Sequence, residues 1–118
     1  MKMDDTLISL IERCRQIASK RGEALVNSNS KEANKLFKEL IAILPLIRSF
    51  GQDGEEALLS LIHDDNNNVA CWAATHSLKY NTDKAIESLQ CIAKDQSLIG
   101  FTATMVIKQW NKGELLLP

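Results

Sequence analysis

The sequence predicts an all-α protein in which about six helices stack as hairpins into an α-α superhelix. Leu (16) and Ile (11) are abundant, whereas Val (3) and aromatic residues (5%) are scarce, and strands favour β-branched and aromatic side chains. Apolar residues also recur at helical spacings of three and four. At 118 residues the chain is a single domain, residues 1–118.

A first helical stripe predicts a helix from about residue 6 to residue 26. Its apolar positions alternate between spacings of four and three, and the aliphatic stem of Arg21 lies in the same line. Asp4 or Asp5 is the expected N-cap, because Asp commonly precedes the first helical turn. The stripe consists of Leu7, Ile11, Cys14, Ala18, Arg21 and Leu25.

The second predicted helix begins after Asn29, which stands three residues before Glu32 as in a capping box. Pro45 lies inside this helix, and its missing N–H and its ring predict a bend just before it. The apolar face contains Leu36, Phe37, Leu40, Ile41, Leu44 and Ile47.

The third and fourth helices are shorter. Asp53 with Glu56 forms a variant of the capping box and predicts a third helix that ends near residue 62. The tract at residues 63–68 consists of turn-forming residues, and a fourth helix rich in small residues is predicted from Val69.

The fifth helix is predicted to follow Asn81 and Thr82, which supply a stop and an N-cap, and to end near residue 94. The sixth spans residues 99–110. The apolar tail at residues 115–118 is expected to dock on the helices.

Two helical pairs in the second half are alike. Residues 57–61 resemble residues 85–89 at an offset of 28, and Val69 and Ala73 recur as Ile99 and Ala103 at an offset of 30. A period of about 30 residues that contains two helices is typical of stacked helical repeats.

The segment from residue 55 to residue 78 resembles the HEAT repeat. An apolar first helix and an acidic-polar turn precede a V-x-x-x-A-A-x-x-x-L second helix, with Ala70 where HEAT repeats commonly have Arg. With the ending IKQWNKG, residues 37–113 resemble a family of small bacterial HEAT-like proteins. The second-helix pattern is supplied by Val69, Ala73, Ala74 and Leu78.

That family has no assigned enzymatic activity, and its members occur as immunity proteins beside polymorphic or contact-dependent growth inhibition toxins. The resemblance implies a stoichiometric inhibitor that binds a cognate toxin, most plausibly a nuclease, and blocks its active site. The alternative is a helical-repeat adaptor or regulatory module that uses the same surface without inhibiting an enzyme. A small enzyme is the residual alternative.

Charge and cysteine content exclude several other classes. A net charge of −1 argues against direct nucleic-acid binding and against a polybasic membrane anchor. No apolar run approaches the roughly 18 residues of a membrane span. Three cysteines without a paired framework argue against a disulfide-stapled secreted fold. We therefore expect a cytoplasmic protein with buried free thiols.

The sequence predicts no catalytic residue, no cofactor and no metal. The spacings among His63, Cys71, His76 and Cys91 fit no zinc finger or ribbon. Cys71 and His76 are five residues apart, about 140° around a helix, which is too far for a nucleophile and its base. No phosphate-binding, serine-hydrolase or zinc-protease motif occurs.

Two candidate partner-binding regions remain. The first is a set of acidic residues at adjacent helix ends, which could meet a basic nuclease surface: Glu55, Glu56, Asp64 and Asp65, beside Asp53. The alternative is that these acids only cap helices or face solvent.

The second region lies on the fourth and sixth helices. With Val69, Ala73 and Ser77 on the buried line, the opposite face of the fourth helix is predicted to be the concave surface. The 30-residue offset places Phe101 and Met105 beside it, which predicts a partly exposed apolar patch. The alternative is that Trp72 and Phe101 belong to the core. The fourth helix contributes Cys71, Trp72, Thr75 and Lys79.

Overall fold

The computed structural model of the protein describes residues 5–117. Within that range the chain forms six α-helices, one 3₁₀ turn and no strand, which confirms the all-α prediction. The α-helices are α1 (Asp5–Val26), α2 (Ser30–Arg48), α3 (Gln52–Ser60), α4 (Asn67–Ser77), α5 (Thr82–Ile92) and α6 (Leu98–Asn111), and the 3₁₀ turn is Leu61–His63. One of the two predicted N-caps of α1, Asp4, lies outside the described residues.

Helix α4 joins the two halves of the core. It packs against α1 and α3 on one side and against α5 and α6 on the other, while α1 also packs along α2. Trp72 and Ala73 belong to a core cluster shared with α1, α2 and α3. Ala74 and Leu78 belong to a second cluster shared with α5 and α6. This two-sided burial explains why α4 is rich in small residues.

The predicted start of α2 is confirmed. The side-chain oxygen of Asn29 accepts a hydrogen bond of 3.2 Å from the backbone N–H of Glu32, as a capping residue does. Pro45 is exposed on α2, which continues beyond it to Arg48.

The predicted capping box of α3 is wrong. The helix begins earlier, because Gly51 adopts a left-handed backbone (φ 63°) and is itself the N-cap, with no side-chain hydrogen bond. Asp53 therefore lies in the first turn, and Glu56 accepts instead from the side chain of Gln52 at 3.1 Å.

Two other helix starts differ from the prediction. Helix α4 begins at Asn67 rather than Val69, because Asn66 caps it by accepting from the backbone N–H of Asn68 at 2.9 Å. Asn81, not Thr82, is the N-cap of α5, since the Thr82 hydroxyl donates backwards to the carbonyl of Leu78 at 2.6 Å.

The turns before α4 and α6 are built alike. The Oδ1 atom of Asp64 accepts from the N–H of Asn66 at 2.9 Å, and that of Asp95 accepts from the N–H of Ser97 at 2.8 Å. Ala73 and Ala103, which correspond at the 30-residue offset, are both fully buried. The sequence similarity between α4 and α6 is therefore matched by similar turns before the two helices.

The C-terminal tail docks as predicted. Leu115 and Leu117 pack against the core cluster of α4, α5 and α6, while Leu116 points to solvent. Pro118 lies outside the described residues. In residues 5–117 no helix is long and apolar enough to cross a membrane.

Candidate partner-binding cleft

A cleft of about 300 Å³ opens between α1, α2, α4 and α6. Its lining is mostly apolar. Helix α1 contributes Ala18, Arg21, Gly22, Leu25 and Val26, helix α2 contributes Phe37 and Leu40, helix α4 contributes Asn68, Cys71, Trp72, Thr75 and His76, and Ser97 with α6 residues Leu98, Ile99, Thr102 and Val106 completes it.

Two polar rings on α4, Trp72 and His76, belong to the wall of the cleft. Trp72 is 7% exposed and His76 is 6% exposed, and their ring centroids lie 5.0 Å apart at an interplanar angle of 53°. Among the residues that the structure describes, neither Trp72 Nε1 nor His76 Nδ1 has a hydrogen-bond partner. Buried polar groups are normally paired, so these two ring nitrogens are unsatisfied polar atoms of the fold.

His76 is neutral at physiological pH. Burial lowers its pKa from the ordinary value of 6.5 to about 4, and the positive charge of Arg48 acts in the same direction. The guanidinium of Arg48 itself lies 5.9 Å from the centre of the Tyr80 ring.

Cys71 is a structural thiol rather than an activated one. Burial raises its pKa to about 11, although Thr75 and Arg21 favour the thiolate to a smaller extent. A reactive cysteine requires a thiolate at working pH. The Thr75 hydroxyl also donates to the backbone carbonyl of Cys71 at 2.7 Å, which holds the two residues together on α4.

Arg21 carries positive charge into the mouth of the cleft. Its guanidinium carbon lies 5.2 Å from the centroid of the Phe37 ring, a distance at which cation and ring attract each other. Burial lowers the pKa of Arg21. Within residues 5–117 no acidic side chain forms an ion pair with it.

Exposed apolar side chains surround the opening of the cleft. Four of them line it, and Phe101 follows Leu98 by one turn on the same side of α6. We call this set the rim patch: Leu25, Val26, Phe37, Leu98 and Phe101, all exposed.

The predicted patch on α4 and α6 is only partly correct. Cys71, Trp72 and Thr75 do line the cleft, and Val69, Ala73 and Ser77 are buried as predicted. Trp72 is nevertheless a core residue, whereas Phe101 is 64% exposed. The two aromatics therefore do not share one surface.

Phe101 and Met105 do not line the cleft beside α4, contrary to the prediction, and exposed Lys79 does not line it either. Helix α6 turns Ile99, Thr102 and Val106 towards the cleft. Phe101 lies about 160° around the helix from Ile99, so it does not face the cleft and adjoins the rim only through Leu98, three residues earlier.

The acidic residues predicted to form one surface differ in their exposure. Glu56 and Asp65 are exposed and Glu55 is half-buried, but the Asp64 carboxylate is mostly covered and accepts a hydrogen bond from Arg15 Nε. Burial opposes ionisation of Asp64, yet the hydrogen bonds from Asn66 and Arg15 outweigh it and hold its pKa below the ordinary value. Asp64 therefore ties the turn before α4 to α1.

The thiol prediction needs one correction. Cys14 and Cys71 are buried, but Cys91 is exposed on α5, because its position lies outside the arc that contains the buried Leu89 and Ile92. In the described part of the chain, no three His, Cys, Asp or Glu side chains converge as metal ligands would.

Sequence reasoning missed the roles of Arg21 and Phe37. Both lie within apolar stripes and were assigned to helix faces alone. An arginine within an otherwise apolar line was the available signal, since such a side chain must bring its charge to the edge of the buried face.

A family model described as a domain of unknown function (DUF2019) matches residues 5–109. The chain belongs to this family. The crystal structure of the protein RPA1889 from Rhodopseudomonas palustris CGA009 is similar, with a TM-score of 0.86 at 24% identity over 99% of this chain and 100% of that chain. This likeness concerns the fold alone. No curated protein matches the sequence.

Proposed function

We propose that this member of the DUF2019 family is a non-enzymatic protein-binding module that acts as an immunity protein. It binds a cognate bacterial toxin domain of the nuclease class and covers its active site in the cytoplasm. The observation that carries the proposal is the rim patch, in which four exposed apolar side chains line one cleft and exposed Phe101 follows Leu98 by one turn of α6.

The rim patch has the composition of a binding surface. Monomeric proteins rarely leave large contiguous apolar patches exposed, and interface centres are enriched in aromatic residues. Phe37 and Phe101 are the two exposed aromatic anchors of the patch. A partner that buried them would gain apolar contact without any change in the protein's own core.

The chemistry of the cleft supports binding rather than catalysis. The Cys71 thiol keeps its proton and the imidazole of His76 is neutral at physiological pH, so they do not form an activated pair. An inhibitor that works by steric blocking needs no reactive group, only affinity of about −12 kcal/mol for a nanomolar complex.

Two features support the finer interpretation. The matching turns at Asp64 and Asp95 fit a HEAT-like repeat, a scaffold that commonly serves as a binding surface. The exposed carboxylates of Glu56 and Asp65 would speed association with a basic nuclease and make the rate fall with salt.

The test compares the protein with two variants in capture from its native strain. Phe37→Ser with Leu98→Ser removes two rim side chains, and Leu46→Ser removes an exposed leucine of α2 that does not line the cleft. We expect wild type and the Leu46 control to retain a cytotoxic domain that the rim variant loses. Retention of a housekeeping assembly instead would indicate the adaptor function, and equal capture by the rim variant would contradict the binding surface.

A further inference from the structure

We infer that the cleft binds a small amphipathic carboxylate, an aryl- or alkyl-carboxylic acid. Arg21 and the indole N–H of Trp72 would hold the carboxylate, and the apolar body would lie against Leu40, Ile99 and Val106. This inference goes beyond the proposed function, because such a ligand would bind the isolated chain whether or not a protein partner exists.

The charge of the cleft favours an anion. Within residues 5–117, Arg21 is the one permanently cationic side chain of the lining, and no Asp or Glu lines it. The guanidinium is half-buried and its Nε has no hydrogen-bond partner. A partly desolvated, unpaired cation is unfavourable, and a ligand carboxylate is its natural complement.

The available donors match a carboxylate. Because the guanidinium lies over the Phe37 ring, its in-plane N–H groups remain available for a planar acceptor. Trp72 Nε1 is a buried donor without a partner in the described chain. An ionised carboxylate only accepts hydrogen bonds, so one ligand group could satisfy both side chains.

The volume and the lining of the cleft indicate the size and character of the apolar part of the ligand. A volume of about 300 Å³ is at the lower end of small-molecule sites, so it suits one ring or a short chain. The walls beyond Arg21 and Trp72 are largely aliphatic. A neutral apolar molecule would leave the charge unpaired, and a free inorganic anion would leave the apolar walls empty.

The test uses 3-phenylpropanoate and hexanoate with the corresponding neutral amides as matched probes. Binding is followed by calorimetry and by the two indole N–H resonances in a nitrogen-15 correlation spectrum. Trp110 does not line the cleft, so its resonance is an internal control. We expect saturable shifts of the Trp72 resonance with a carboxylate only. Equal binding of the amides, equal shifts at Trp110, or no saturable binding at millimolar concentrations would overturn the inference.

Two variants identify the groups that hold the carboxylate. Arg21→Gln removes the charge, and Trp72→Phe keeps a ring but removes the donor. Arg13→Gln removes an exposed arginine of α1 that does not line the cleft. We expect at least about tenfold weaker binding for each of the first two variants and unchanged binding for the control. Thermal unfolding shows which variants are folded, and unweakened binding by folded Arg21→Gln contradicts the inference.

Discussion

The indole of Trp72 and the imidazole of His76 lie one turn apart on α4 with ring centroids 5.0 Å apart, and both rings are almost completely buried. This pair forms the wall between the core and the cleft. A substitution or a protonation that disturbs either ring therefore affects both the stability of the fold and the wall of the cleft.

Trp72→Ala is expected to destabilise the isolated protein by about 3–5 kcal/mol, because it leaves a large cavity between α1, α2 and α4. Phe101→Ala is the matched control: its ring is mostly exposed, so the expected change is within about 0.5 kcal/mol. Urea denaturation measures both values. Similar costs for the two substitutions would show that the burial of Trp72 is misassigned.

Stability should depend on pH through His76. The pKa of His76 is about 4 in the folded protein and 6.5 in its ordinary state, so the unfolded chain binds more protons between these values. The contribution of neutral, buried His76 to the free energy of unfolding is therefore full above pH 6.5, and it is lost as the pH falls towards 4. This loss corresponds to roughly 3 kcal/mol, at about 1.4 kcal/mol for each pH unit.

Unfolding free energies measured from pH 7.5 to pH 4 check this prediction. His76→Gln should flatten the plot of unfolding free energy against pH above pH 4.5. His63→Gln changes an exposed position and should leave that plot unchanged. An unchanged slope in folded His76→Gln would mean that other groups carry the dependence.

Gly100 is expected to be a sensitive position in α6. A Cβ placed there would overlap the backbone oxygen of Asp95, which cannot rotate away. Gly100→Ala should therefore cost about 1–3 kcal/mol through overpacking. At Gly22 the nearest atoms belong to the side-chain amide of Asn68, which can move, so Gly22→Ala should cost less in the same denaturation assay. A reversed order would contradict this packing.

Asp64→Ala should destabilise the fold by about 1–2 kcal/mol, because the turn loses the hydrogen bond to the N–H of Asn66 and its link to Arg15. Asp65→Ala removes the neighbouring exposed carboxylate and should be close to neutral. Chemical denaturation distinguishes them. Equal effects would favour the view that both acids only face solvent.

The apolar stripes predicted α1 and α2, because the buried residues of one helix recur with the period of that helix. Asn29 shows the same locality: the capping bond involves residues three apart, and the sequence reveals it directly. By contrast, Gly51 begins α3 through a left-handed backbone that no residue pattern in the segment specified.

The cleft could not be assembled from the sequence, because it depends on how α1, α4 and α6 meet. The 30-residue offset correctly predicted that Ala103 is buried like Ala73, but it does not specify which arc of α6 faces α1. The offset therefore predicts Phe101 in a patch beside Cys71 and Thr75, while the stripe pattern places Arg21 only on a helix face. The surroundings of Phe101 and Arg21 depend on how helices that are distant in sequence pack against each other.

The most direct test of the account is a titration of the captured cytotoxic domain with this protein. If the rim patch covers the active site, toxin activity should fall linearly and disappear at one equivalent of wild-type protein, while Phe37→Ser with Leu98→Ser should need a large excess. A tight one-to-one complex that retains full toxin activity would contradict inhibition by active-site blocking.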